Sequence, residues 1–281
     1  MNAQRHLKPF SFPRIYCVVE VSVKMKALAA ILLVQWFAAC LSLVAVETPK
    51  NATPVLIELF TSEGCSSCPP ADALLQKLDA QPVPGVQLIV LSEHVDYWNH
   101  IGWKDPYSSQ LFSQRQNIYA QRMGGSTVYT PQMIVDGTSE FVGSDGLQAL
   151  KAIDKSRSAE KLPVNISNIS LANGALHGRI EIGTLPESLH AHSADVYVAV
   201  ALNHAESQVL RGENEGRRLQ HVAVVKSVTK IGSMNKSKNF TQDAAIKLEG
   251  TPDPENLRIV VFAQDPNSGK VIGAALQQIK P

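Results

Sequence analysis

The sequence predicts an α/β domain over residues 54–154 followed by an all-β, sandwich-like C-terminal domain over residues 163–281. Two observations carry this expectation. Short apolar runs alternate with amphipathic helical patterns through the first region. In the second, strand patterns and turn signals take over, with Asn173-Gly174 marking a hairpin. A third observation bears on chemistry: Cys65-Ser66-Ser67-Cys68 stands where the first predicted strand gives way to the first predicted helix.

The chain has 281 residues, 44% of them apolar and 18% charged, enough for a sizeable core. A formal charge of +1 and no run of basic residues argue against a nucleic-acid surface. Ala27–Val46 are apolar except for Gln35 and Ser42, and Lys24 and Lys26 precede them. Residues 1–46 therefore read as an export signal. Met25 would be a more ordinary start for it, and the length also suits an uncleaved membrane anchor, which needs roughly 18 apolar residues. Ala38-Ala39-Cys40 offers small residues to a signal peptidase, but Phe37 makes a poor lipobox. Each option places the chain outside the cytoplasm, periplasmic, secreted or membrane-anchored, where disulfides persist.

After a polar link at Glu47–Thr53, Val55–Phe60 reads as a strand and Pro70–Asp79 as a helix. Val86–Leu91 is a continuous apolar strand, and Ser109–Arg122 a helix. Met133–Val135 and Glu140–Val142 flank the turn Asp136-Gly137 as a hairpin. Ser144 is expected to cap a last helix through Ile153, with Leu147 and Leu150 facing inward. Lys155–Pro163 reads as a linker. Val164–Leu171, Leu176–Ile182, Asp195–Leu202, Leu219–Val228, Leu257–Ala263 and Val271–Leu276 then supply the strands of the second region.

Cys17 and Cys40 fall in the leader, so the remaining chain holds one Cys-x-x-Cys and no other thiol. A thiolate is the attacking species in disulfide exchange, and a free cysteine of pKa ~8.5 is only about 3% ionised at pH 7. A helix start favours the anion through its unpaired N–H groups and dipole. Cys65, on the turn side, is expected to be exposed and attacking; Cys68, one turn further, is expected to resolve the mixed disulfide. Pro69 and Pro70 lack N–H groups and suit only the first helical turn. A four-cysteine structural zinc site would need a second Cys pair, and none is present outside the leader. A structural disulfide would close a very small loop. Soft-metal handling by Cys65, Cys68 and His94 stays open, since thiolates favour Cu(I).

A right-handed strand–helix–strand crossover brings residues after Leu91 out beside Cys65. Those residues, Glu93, His94, Asp96, Tyr97 and Trp98, are candidate site-lining groups. His94 could stabilise a thiolate, exchange a proton or bind a metal; the plainer alternative is a loop in which His94 and Asp96 bond each other. Lys104-Asp105 reads as a surface pair.

Strand, Cys-x-x-Cys, helix, strand, proline-led hairpin and final helix resemble the thioredoxin fold over Val55 to about Ile153. On that resemblance Pro131 in Tyr129-Thr130-Pro131-Gln132-Met133 matches a cis-proline, with Thr130 beside the substrate, and Glu58 resembles the buried acid that relays a proton; Trp98, from the loop after Leu91, is a further candidate substrate contact. The chain also resembles exported bacterial proteins grouped as domain of unknown function 1223. The matching stretches are Glu58–Asp72, His94–Asn99, Gly102–Pro106, Tyr129–Met133 and Gly212–Arg217. The residues and resemblance together point to a thiol-disulfide oxidoreductase acting on protein thiols or disulfides, with no organic cofactor. The alternatives are a copper-binding or delivery module and a scaffold with an idle Cys pair.

Overall fold

A computed structural model describes residues 52–125, 127–236, 238–250 and 253–279. The leader and both of its cysteines lie outside these residues. Thr53–Thr61 (β1), Pro69–Ala80 (α1), Val86–His94 (β2) and Gln110–Arg122 (α2) come first. Gln132–Val135 (β3), Ser139–Val142 (β4) and Gly146–Arg157 (α3) follow. The remaining strands are Val164–Ala172 (β5), Ala175–Ile182 (β6), Ser193–Gln208 (β7), Arg218–Asn235 (β8), Phe240–Lys247 (β9), Leu257–Gln264 (β10) and Val271–Gln278 (β11).

Eight strands make one mixed sheet in the order β11-β10-β7-β8-β2-β1-β3-β4, and β5-β6-β9 make a second. This corrects the fold-class expectation. Among the described residues the structure is mostly β, 46% strand and 19% helix, rather than a thioredoxin-like α/β domain followed by an all-β sandwich. The physical reason is the parallel pairing of β8 with β2, registered at Val224 and Ser92. It joins strands from both regions into one sheet, which local periodicity cannot reveal.

Alternation along the strands decides the layers. Val55, Ile57 and Leu59 of β1 pack with Ala71 and Leu75 of α1 and Ala149 and Ile153 of α3. Leu56, on the opposite face, packs with Phe112 of α2 and Phe262 of β10. Further along the sheet, Val196, Val198 and Val200 of β7 bury against Leu176, Ile180 and Ile182 of the three-stranded sheet. The α3 helix departs from its predicted setting. Asp145, not Ser144, caps it by accepting from the amides of Leu147 and Gln148. Leu147 and Leu150 face outward at 73% and 57% exposure, while Ala149, Ala152 and Ile153 face the sheet. Smaller side chains allow the helix to approach β1 and β3 closely.

On the α2 face of β1, Glu58 accepts from Arg115 Nε at 2.6 Å and from the Tyr119 hydroxyl. Burial, and then the neighbouring Glu58 charge, push the Glu93 carboxyl well above its ordinary range. Arg258 on β10 ties the two halves of the chain. Its guanidinium donates to both carboxylate oxygens of Asp79 at 2.7 and 2.9 Å, at the end of α1, and to Asn203 Oδ1 at 2.8 Å. Asp79→Ala would leave this guanidinium buried and without its anion, at an expected cost of about 3 kcal/mol. Urea unfolding should show a lower midpoint at unchanged slope; a loss below about 1 kcal/mol would refute this role for the pair.

Candidate functional site

The chain leaves β1 at Thr61 and turns at once. The Cys65 amide donates to the Ser62 carbonyl at 3.2 Å, and the Cys68 amide to the Cys65 carbonyl at 3.2 Å. This brings the two cysteines to a Cα separation of 5.4 Å, and they form a disulfide. Cys68 is the N-cap of α1, and the two prolines occupy the first turn, where missing N–H groups cost nothing. Cys65 Sγ lies 3.3 Å from Ser67 Oγ.

Both cysteines are fully buried, correcting the expectation that Cys65 is exposed. Part of the reason is the β7–β8 connection. Asn214, itself fully buried, donates through Nδ2 to the carbonyls of Glu63 at 2.8 Å and Cys65 at 3.0 Å. Glu213 accepts from the Ser66 amide at 3.0 Å. On another side lies Trp98: a Cβ built on Gly64 would stand 3.1 Å from the Trp98 Cβ, a tight contact that would require Trp98 to give way by a few tenths of an ångström.

Trp98 also reaches the Thr130–Pro131 segment, donating from Nε1 to Thr130 Oγ1 at 2.7 Å. The Thr130–Pro131 peptide is cis. A Cβ on Gly143 would meet Leu59, Pro131 and Ala71, which places Pro131 beside the first turn of α1. Cys65, Cys68, Trp98, Thr130 and Pro131 thus share one neighbourhood.

Other sequence candidates go elsewhere. Glu58 lies on the opposite face of the sheet from α1, bound to Arg115 and Tyr119, because strand alternation turns it toward α2. Asp96 and Tyr97 also turn to α2. Ser113 Oγ donates to Asp96 Oδ1 at 2.5 Å, and the Tyr97 hydroxyl donates to Gln116 Oε1 at 3.1 Å. Burial pushes the Tyr97 hydroxyl up to about 12.

His94 sits in a buried polar cluster that sequence reasoning missed. Its Nδ1 is 2.7 Å from Asp105 Oδ2, not bonded to Asp96. Asp105 is buried and also accepts from the amides of Glu63 and Tyr107, so it is no surface residue. The His94 ring lies edge-on to His221 at 4.7 Å between centroids. His221 Nε2 is 3.2 Å from Glu63 Oε1, while Glu63 Oε2 accepts from Trp103 Nε1 at 2.8 Å. Asp72 completes the group, with Oδ2 3.8 Å from His221 Nδ1 and Oδ1 accepting from Thr61. Asp72 was legible in principle: it stands four residues after Cys68, on the same helical face. His221 gave no local signal, since only the sheet brings β8 here. Among the described residues, no three His, Cys, Asp or Glu side chains are placed to hold a metal ion. Of the candidate set Cys65, Cys68 and His94, the two cysteines are joined in the disulfide and His94 Nδ1 is engaged by Asp105.

Solvent reaches the edge of this cluster. A cavity of about 180 Å³ is lined by Pro69, Asp72, Gln76, Arg218, Gln220 and His221. A larger groove of about 540 Å³ continues past Gln76 and Val222, and its lining includes neither cysteine.

The family model for a protein of unknown function, DUF1223, matches residues 56–264. The chain belongs to the DUF1223 family. A solved structure of an Agrobacterium tumefaciens protein is 28% identical, with a TM-score of 0.64, and the match covers 82% of this chain and 96% of that one. HBP35 of Porphyromonas gingivalis shares the fold at a TM-score of 0.62 and 16% identity, over 81% of this chain and 76% of its own. No curated protein matches the sequence. Among the described residues, no helix is long and apolar enough to cross a membrane.

Burial alone would lower the His94 pKa, but the Asp105 charge and hydrogen bond outweigh it and raise the value above 6.5. Burial would likewise raise Asp105, yet His94 and the amide donors hold it below 3.8. His94 therefore adds stability fully below pH 6.5, which is lost as pH rises through its higher folded value; Asp105 adds stability above pH 3.8, lost as pH falls through its lower folded value. The unfolding free energy of the wild type should fall more steeply above pH 6.5 than that of His94→Gln. Urea titrations across neutral and alkaline pH test this, and coincident slopes would contradict it.

Proposed function

We propose that this DUF1223 protein is an exported thiol-disulfide oxidoreductase whose exchanging groups are Cys65 and Cys68 and whose partners are protein thiols or disulfides. The single observation that carries the reading is a vicinal disulfide at the mouth of α1, formed by the only cysteines among the described residues. A disulfide across two residues closes so small a loop that it constrains the unfolded chain less than a long-range one. At a helix start it is well placed for chemistry, because the released thiolate sits at the positive end of the helix dipole.

In the reducing direction, the Cys65 thiolate attacks one sulfur of a substrate disulfide. A Cys65–substrate bond forms, and the other substrate sulfur leaves as a thiolate. Cys68 then gives its proton to solvent and attacks Cys65 Sγ. The Cys65–Cys68 bond forms as the Cys65–substrate bond breaks, and a second substrate thiolate departs. Two electrons pass from the pair to the substrate; a dithiol substrate runs the same steps backward. Trp98 and Thr130 stand where an approaching peptide would pass. The apolar Ala27–Val46 stretch after Lys24 and Lys26 supports export.

Cys68→Ala should accumulate Cys65-linked mixed disulfides in cells, because nothing remains to resolve them. Non-reducing electrophoresis with mass spectrometry checks this, using Cys65→Ala/Cys68→Ala as control. Free Cys65 with no covalent partner would leave an idle pair as the better description. Cell fractionation should find the wild type outside the cytoplasm, and cytoplasmic retention would overturn the export reading.

A further inference from the structure

Exchange requires an incoming sulfur to reach a cysteine sulfur, yet Cys65 and Cys68 are both at 0% exposure while Ser66 and Ser67 between them are exposed. The segment clasping this turn is the tip of the β7–β8 hairpin, residues 209–217. It is a compact unit closed on itself. The Val209 amide donates to the Arg217 carbonyl at 2.9 Å, and the Gly216 amide returns to the Val209 carbonyl at 2.9 Å. The tip is fastened to the cysteine turn by two hydrogen bonds from Asn214 to the carbonyls of Glu63 and Cys65, and by Glu213, which engages both the amide and the side chain of Ser66. Gly212 and Gly216 have φ of +82° and +79°, a conformation that glycine adopts without strain. At Gly216 an added Cβ would meet nothing within 4 Å, whereas at Gly212 it would stand 3.1 Å from the Ile101 carbonyl oxygen.

Apart from the packing of Gly212 against Ile101 and Trp103, these fastenings are local and few, whereas the hairpin strands behind them are long and paired over most of their length, with two register shifts. The least costly way to uncover Cys65 is to detach the tip and leave the sheet intact. Glu213 is itself exposed and occupies the Ser66 amide, a donor that a peptide carbonyl could equally take.

We infer that the β7–β8 tip is a gate over the cysteine pair: exchange follows its local detachment, and an extended substrate peptide takes the Ser66 amide that Glu213 holds in the closed state. The purpose of the gate rests on the oxidoreductase reading, but its opening is measurable without a substrate. The closed protein meets thiols only during brief openings, so the rate of disulfide reduction reports the open population.

The test is reduction of the oxidised full-length chain by excess glutathione, quenched by alkylation and followed by mass. Asn214→Ala removes two fastenings and should raise the rate on the order of tenfold. Glu213→Ala, an exposed change that frees Ser66, should raise it at least about threefold and serves alone if Asn214→Ala fails to fold. In the wild type the rate should hardly change with low urea, since local opening exposes little surface. Smaller increases in the folded variants, or a wild-type rate that climbs with urea as steeply as global unfolding does, would overturn the gate. Faster reduction in these variants, combined with no mixed disulfide from Cys68→Ala, would keep the gate and remove the oxidoreductase reading.

Discussion

Parallel pairing of β8 against β2 is the constraint on which the rest of the structure depends. Its register is brief, at Ser92 and Val224. Yet in the hydrogen-bonded order of strands, β7, β10 and β11 are joined to β2 and β1 through β8. The junction is reinforced away from the ladder. Gln76 of α1 donates to the Gln220 carbonyl at 2.6 Å, and Arg258 grips Asp79 about one turn further along that helix. Because β8 runs alongside β2, its first residues pass the start of α1. That path carries His221 into the polar cluster and the hairpin tip onto the cysteine turn.

Two groups of buried ionisable residues occupy opposite sides of β1 and β2, and each is organised by a basic group among carboxylates. On one side Arg115 serves Glu58 and lies 3.5 Å from Glu93. It also stands over the rings of Tyr119, Tyr197 and Phe262, so the cation is held by aromatic faces as well as anions. On the other side His94 and His221 stand among Asp105, Glu63 and Asp72. Burial raises the Asp72 pKa despite the opposing effect of His221. Such groups are costly to bury singly and tolerable only together. The histidine group binds loop, helix and strands beside the cysteine turn, while the arginine group binds α2 to the opposite face of the sheet.

The result is a vicinal disulfide with a rigid base and a lightly fastened cover. The base is α1 packed on β1, with Ala71 and Leu75 in the core. Trp98 fills the gap between the turn and Thr130, while Asn214 and Glu213 close it from the β8 side. A sulfur so enclosed resists chance encounters with small thiols, and selectivity would then arise from which partner can displace the cover. This differs from selectivity by pocket shape, for the larger groove of the molecule is lined without either cysteine.

Local chemistry was legible where neighbours in sequence decide it. The apolar runs at β1 and β2 and the glycine-marked hairpin at Asn173-Gly174 are short-range features. The position of Cys-Ser-Ser-Cys before a proline-started helix is another, and all form as their periodicity and turn residues require. Facing direction was less legible. Leu147 and Leu150 are as apolar as core residues, but the close approach of α3 to the sheet selects Ala149 and Ala152 instead. Glu58 could be placed on β1 from sequence, but the face it joins depends on where α1 and α2 lie. The buried acids and histidines around the cysteines come from distant segments, so no window along the chain could show that Asp105 meets His94 or that His221 meets Glu63. By itself the sequence determined the cysteine pair, its helix and most strands, because hydrophobic period and turn chemistry act between near neighbours. Only the tertiary structure decided that both regions share one sheet and that the cysteines are covered, because strand partners and burial depend on contacts the chain makes after it folds back on itself.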